Sequence, residues 1–270
     1  MVDDVSSAGS TAPHHLRLFA PEADDTVSAW WPRLAILTIA GVTAFLCTSS
    51  CRQSLWLDEL HTGWTISAGW SDIAPRAVQG NTGPFYFWCT AITSGKLVGI
   101  PATMAGMRWT SVVAATLLVT AAWFAVQRWT KSYSAAACTA ALLAVDHNTL
   151  FFGSEARAYI WVQLAALLQV MIFWEIIRQQ KVTPSKLVAW SLLSATMLHL
   201  HATSALFLVA ELGFACFDPP SRRLMRHRGV QCAVTAVIVC GMVLVPILTD
   251  VFERRENWHL FVASPDLSEV

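Results

Sequence analysis

Charged side chains are scarce in this 270-residue chain: 13% of residues are Asp, Glu, Lys or Arg, against roughly 25% in a soluble domain. With 55% hydrophobic residues and a mean hydropathy of +0.49, that scarcity excludes an ordinary soluble domain, a disordered chain, a collagen and a coiled coil. Excess charge of one sign is missing as well. Basic and acidic residues balance at 18 each, which leaves no footprint for gathering nucleic acid. The seven cysteines form no Cys-x-x-Cys and no Cys/His ligand spacing. Most lie in apolar runs and read as small buried hydrophobes, with Cys47 and Cys51 the one spacing that suits a disulfide. No internal repeat is visible, which argues against a solenoid or a duplicated transporter half.

What the chain does have is long apolar runs, at 31–48, 109–127, 133–151, 159–177, 186–200, 202–217 and 230–249. A transmembrane helix needs roughly 17 to 25 such residues, so these predict about seven spans in an all-α, polytopic membrane protein. Residues 1–29 are polar, carry Asp3, Asp4, Asp24 and Asp25 without a cleavable leader pattern, and predict a cytoplasmic tail. His14 and His15 within it read as a surface pair.

An eighth run, Gly83 to Ile100, is interrupted by Gly95 and Lys96, and loop charge decides its placement. If it does not cross, Arg128, Lys131, Arg178, Lys181, Lys186, Arg222, Arg223, Arg226 and Arg228 all fall in short inner loops, and Arg157 alone in the short outer ones. A crossing would put all of those inner cations outside. The run is therefore expected as a juxtamembrane helix, inside one extracytoplasmic loop over 49–108 that presents Trp56, Trp64, Trp70 and Trp88 to the interface. So long a connection is usually functional when it is ordered. The transmembrane module is expected over 30–250, with 251–270 opening a further outer loop.

Several polar groups fall at the predicted outer face. Asp58 and Glu59 are adjacent carboxylates beside Trp56, suited either to a general base with a raised pKa or to capping a helix. Pro84 opens the helix containing Tyr86 and Phe87. Ser154, Glu155, Arg157 and Tyr159 form an ionisable cluster between spans three and four, where Arg157 either grips a phosphate or pairs with Glu155. His199 and His201 end span five. Asp146, His147 and Asn148 interrupt span three, and Glu211 lies inside span six, where a polar group faces the bundle or a wet cavity. Glu175 sits close enough to the inner boundary to snorkel.

In this order and placement, Trp56 to Glu59, Pro84 to Tyr86, Ser154 to Tyr159 and His199 to His201 resemble motifs of the GT-C membrane glycosyltransferases, specifically the protein mannosyltransferase and aminoarabinose transferase superfamily (glycosyltransferase family 39-like). The resemblance covers about residues 30–265. Gly83 stands where the family has a first proline, Phe87 where it has a second tyrosine, and Ala158 where it has a proline. It implies catalysis on the extracytoplasmic face of a bacterial inner membrane, with inverting transfer of a sugar from a polyprenyl-phosphate carrier to an acceptor hydroxyl. Asp58, with Glu59, would be catalytic and a divalent cation could sit on them; Arg157, Glu155, Tyr159, Tyr86 and His201 would receive the lipid phosphate. Relatives continue through further spans, so the resemblance also allows a partner subunit, or an inactive remnant that keeps the fold. A small transporter is the remaining alternative, disfavoured because the charges cluster at the outer edge.

Overall fold

A computed structural model describes residues 30–246 except 53, 56, 68, 80–82 and 99–102, together with 249 and 253. The expectations for residues 1–29, Trp56 and most of 251–270 lie outside the described residues. Every regular element described is helical: α1 (Trp31–Ser50), α2 (Leu57–Ser67), α3 (Ile73–Gln79), α4 (Phe85–Thr93), α5 (Met104–Thr130), α6 (Tyr133–Val145), α7 (His147–Ser154), α8 (Tyr159–Gln179), α9 (Pro184–Leu200), α10 (Ala205–Phe217), α11 (Pro219–Met225) and α12 (Arg228–Met242).

Local chemistry sets the boundaries. Pro184 and Pro219 stand in the first turns of α9 and α11, where a missing N–H costs nothing. Thr103 and Ser132 cap α5 and α6 by accepting the N–H of Gly106 at 3.0 Å and of Ala135 at 3.1 Å. Between α6 and α7 the backbone turns extended at Asp146, whose carboxylate accepts the Thr149 N–H at 2.9 Å, and the two helices meet at 57°. Asp218 does the same ahead of Pro219 and Pro220, accepting the Ser221 N–H at 3.0 Å, and α11 leaves the line of α10 at 110°.

Helices α1, α5 and α8 are 20, 27 and 21 residues long. At about 1.5 Å per residue each covers a hydrocarbon core of about 30 Å. Three helices are thus long and apolar enough to cross a membrane, or up to five if each bent pair counts as one span. The chain is a helical membrane protein by this measure. The seven spans expected from hydropathy are not reached by helix length, because α9 has 17 residues and α12 has 15. The described residues of the run at 83–100 form the nine-residue α4 and a short 3-10 turn at Lys96–Val98, each too short to cross.

Packing follows residue size. Val119, Trp123, Ala136 and Ala140 join α5 to α6, and Trp190, Leu198, Leu208 and Val237 join α9, α10 and α12. Gly153 is required where α7 meets α1 and α5, since a Cβ there would lie 2.8 Å from Ala115 Cβ and 2.9 Å from Cys47 Sγ. The disulfide considered for Cys47 and Cys51 is not formed; Cys47 is buried and Cys51 Sγ lies 3.7 Å from the Ser154 carbonyl. Leu37, Phe45, Leu142 and Leu206, each at least two-thirds exposed, give the bundle an apolar outer surface suited to lipid. At the end where α1 finishes and α5 begins, Ile66, Ile73, Phe87, Met107, Ala156 and Leu200 form a separate core that fastens α2, α3 and α4 onto the bundle.

Candidate functional site

That end-cap core positions a set of charges drawn from α2, α5 and the 155–158 turn. Glu59 on α2 and Arg108 on α5 are both sealed from solvent. Arg108 Nε donates to Glu59 Oε1 at 2.7 Å and Nη2 to Oε2 at 2.5 Å, a bidentate pair. The remaining guanidinium donors reach the carbonyls of Cys51 at 2.7 Å and Ser54 at 3.1 Å. Glu59 Oε1 also accepts the Ala156 N–H at 2.8 Å, and the Thr62 hydroxyl donates to the Ala156 carbonyl at 3.0 Å. Three distant segments are therefore pinned by one buried ion pair.

On the outer side of this pair, Asp58 and Arg157 meet. Arg157 Nη2 lies 3.3 Å from Asp58 Oδ2, with the Arg157 side chain 17% exposed and that of Asp58 68% exposed. Arg157 Nη1 also donates to the Asp58 carbonyl at 3.4 Å, and Nη2 to the Tyr159 hydroxyl at 3.5 Å. The Tyr159 ring packs against that of His201, centroids 5.4 Å apart, and His201 Nδ1 is 2.7 Å from the Thr203 hydroxyl. Arg157, Tyr159, His201, Tyr86, Phe87 and Thr62 line one cleft of about 30 Å³.

The electrostatics divide the carboxylates. Glu155 is buried, and its pKa is pushed up to about 7, chiefly by burial, with the Glu59 charge adding and Arg157 opposing. His61 and His201 are both held below the usual histidine range, again mainly by burial, which favours their neutral forms. Burial pushes the Tyr86 hydroxyl up, with the neighbouring Thr90 and Ser111 hydroxyls acting against that shift.

Of the residues singled out in sequence, Asp58, Arg157, Tyr159, Tyr86 and His201 come together around or beside the cleft, with Glu155 just behind it. Glu59 is placed differently. Expected beside Asp58 as a catalytic group, it points inward and is held by Arg108 and the Ala156 N–H, so its place is to position the turn that carries Arg157. Of the two expected cation ligands only Asp58 presents its carboxylate to solvent, and no group of three or more His, Cys, Asp or Glu side chains that could hold a metal ion occurs among the described residues. Arg108 escaped sequence reasoning altogether; the signal was a guanidinium near the start of a long apolar helix, which needs a partner. His199 lies half-buried in the last turn of α9, outside this set. Glu211 faces the bundle as expected, its Oε2 accepting from Gln169 Nε2 at 2.6 Å.

No protein-family model, no curated protein and no solved structure matches this chain.

Proposed function

We propose that this chain is an integral-membrane glycosyltransferase module that takes a sugar from a polyprenyl-phosphate carrier and transfers it, with inversion, to an acceptor hydroxyl. On this reading the chain passes the membrane seven times, α6 with α7 forming one pass and α9, α10 and α12 three more, in a bacterial inner membrane with the N-terminus cytoplasmic. The site then faces outward, and the cation-rich short loops face inward.

The observation that carries the proposal is the meeting of Asp58 and Arg157 across 99 positions of sequence, at the lip of an apolar bundle. An open carboxylate can take or orient the acceptor hydroxyl proton, and a guanidinium beside it can receive the negative charge that grows on a departing phosphate. Glu155, with its pKa near neutrality, is a second group able to exchange a proton there. A prenyl chain would lie along the exposed apolar flanks of the helices.

A second reading, an inactive remnant that keeps the fold, is favoured by one feature. Asp58 is already engaged by Arg157, and the cleft beside them is narrow, about 30 Å³. Membranes containing the full chain, supplied with a labelled polyprenyl-phosphate sugar, separate the two. Transfer or donor hydrolysis that falls at least about 100-fold in Asp58→Asn supports the enzyme. Asp72→Asn, an exposed change on the same outer segment, should leave turnover as it was. Equal turnover in the wild type and Asp58→Asn would remove Asp58 from the mechanism, and no turnover in the wild type selects the remnant.

A further inference from the structure

At the opposite end of the bundle, α5 and α8 both finish beside one another. Their last turns and the residue that ends α5 contribute Arg128, Trp129, Lys131, Trp174, Glu175 and Arg178 to the wall of a cavity of about 300 Å³. A second cavity of about 260 Å³ shares Arg128, Trp129 and Glu175 and continues past Met171 and Ile172, one helical turn further into the bundle.

Charge in this region does not cancel. Glu175 is the one carboxylate there among the described residues, and it is taken by Arg128 and by Lys186 at 3.1 Å. Lys131 and Arg178 have no carboxylate within ion-pair distance among the described residues. Two helix C-termini supply about half a negative charge each. Against Arg128, Lys131, Arg178 and Lys186, Glu175 and both dipoles leave about two positive charges unopposed. Capping of helix ends therefore does not account for all of these cations. The indole Nε1 of Trp129, which lines both cavities, is closed to solvent and has no acceptor. Lys131 adopts the left-handed conformation at φ 60°, which ends α5 at the mouth of the cavity.

We infer that this cavity binds a phosphate-bearing anion, held by Lys131, Arg178 and Arg128 over the Trp129 and Trp174 rings. The geometry favours a phospholipid headgroup as its source. A basic and aromatic chamber shares the wall of Arg128, Trp129 and Glu175 with one lined by Met171 and Ile172, which suits a charged head joined to an acyl chain, whereas a free phosphate needs only the first. The inference is independent of sugar transfer, because the site lies at the other end of the bundle from Asp58 and Arg157.

The test is lipid retention by the purified full chain in detergent, read by native mass spectrometry with phosphatidylglycerol and phosphatidylcholine offered in equal amounts. Phosphatidylglycerol should be retained about tenfold over phosphatidylcholine, and the double variant Lys131→Gln/Arg178→Gln should lose that preference. Lys131→Arg/Arg178→Lys should keep it, which separates lost binding from lost folding. Arg223→Gln/Arg226→Gln, exposed changes on α11 and at the residue that ends it, outside the cavity, should also keep it. Millimolar inorganic phosphate that displaces the lipid from the wild type, and binds the Gln double variant less, supports the same residues with a soluble source. Equal retention of both lipids by the wild type, unchanged preference in the Gln double variant, or equal loss in the α11 variant would overturn the site.

Discussion

Arg108 and Glu59, 49 positions apart, close a two-bond pair with side chains only 2% and 0% exposed. Everything that faces outward at this end depends on it. Glu59 fixes α2, and its neighbour Asp58, about 100° further round the helix, presents its carboxylate to solvent. Through the Ala156 N–H the same carboxylate fixes the turn whose next residue is Arg157. The exposed ion pair is thus held in register by a buried one, and the two acids that sit side by side in sequence have opposite surroundings.

Breaking the buried pair from one side should cost far more than any exposed change nearby. Arg108→Met leaves a carboxylate in an apolar core and frees the Cys51 and Ser54 carbonyls, with an expected loss of about 3 to 5 kcal/mol. Glu59→Gln retains an acceptor for Ala156 and should cost less. Adding Glu59→Leu to Arg108→Met should restore only part, because the two carbonyls stay unpaired. Thermal unfolding in detergent measures all three. Full recovery in the double variant would show that Arg108 does nothing beyond pairing Glu59.

Topology offers a separate check. In a cysteine-free background, a single cysteine at Ser71 or Asp72, both exposed, should react with an impermeant maleimide added outside intact cells. One at Lys181, exposed between α8 and α9, should react only after permeabilisation. The reverse pattern would put the Asp58 site inside, and the sugar-transfer proposal would fail with it.

Helix positions were largely legible in sequence because hydropathy and breakers act locally. Residues 159–177 became Tyr159–Gln179, and the polar Asp146 marks the break between α6 and α7. Loop charge kept 83–100 from being read as a span, and the helix found there, α4, has only nine residues. Pairings were harder to see. Glu59 and Asp58 look alike in sequence, and only the three-dimensional course of α5 decides which one receives Arg108. For Arg157 the sequence offered a phosphate or Glu155, and the carboxylate that it meets is Asp58, 99 positions away, while Glu155 is buried.

Glu155 makes stability depend on pH in a defined direction. Its folded pKa of about 7 exceeds the ordinary 4.5, so the folded chain holds a proton that the unfolded chain has released between those values. Stability contributed by the protonated form is complete below the unfolded value and is lost as pH rises through the folded one, at up to about 1.4 kcal/mol per pH unit. Glu155→Gln keeps the shape and cannot ionise, so its advantage over the wild type should grow between pH 5 and 8. His61 and His201, lowered in the folded chain, act with the opposite sign below their ordinary 6.5 and cancel in the comparison. Parallel unfolding curves for the two proteins at every pH would refute the assignment.

Gly153 and Gly41 make a matched pair for helix packing. A Cβ at Gly41 meets nothing within 4 Å, whereas one at Gly153 meets Ala115 Cβ at 2.8 Å and Cys47 Sγ at 2.9 Å. Gly41→Ala should be neutral or slightly stabilising, since alanine is the better helix former. Gly153→Ala must push α7 off α1 and α5, at an expected cost of about 1 to 3 kcal/mol, and Gly153→Val more. Because the Cys47 thiol is one of the two atoms struck, Cys47→Ala should rescue part of the Gly153→Ala loss, while Cys51→Ala, at the residue that follows α1, should rescue none. Equal rescue by both would mean that the Cys47 thiol is not the atom struck, and rescue by neither that the Ala115 contact on α5 carries the cost.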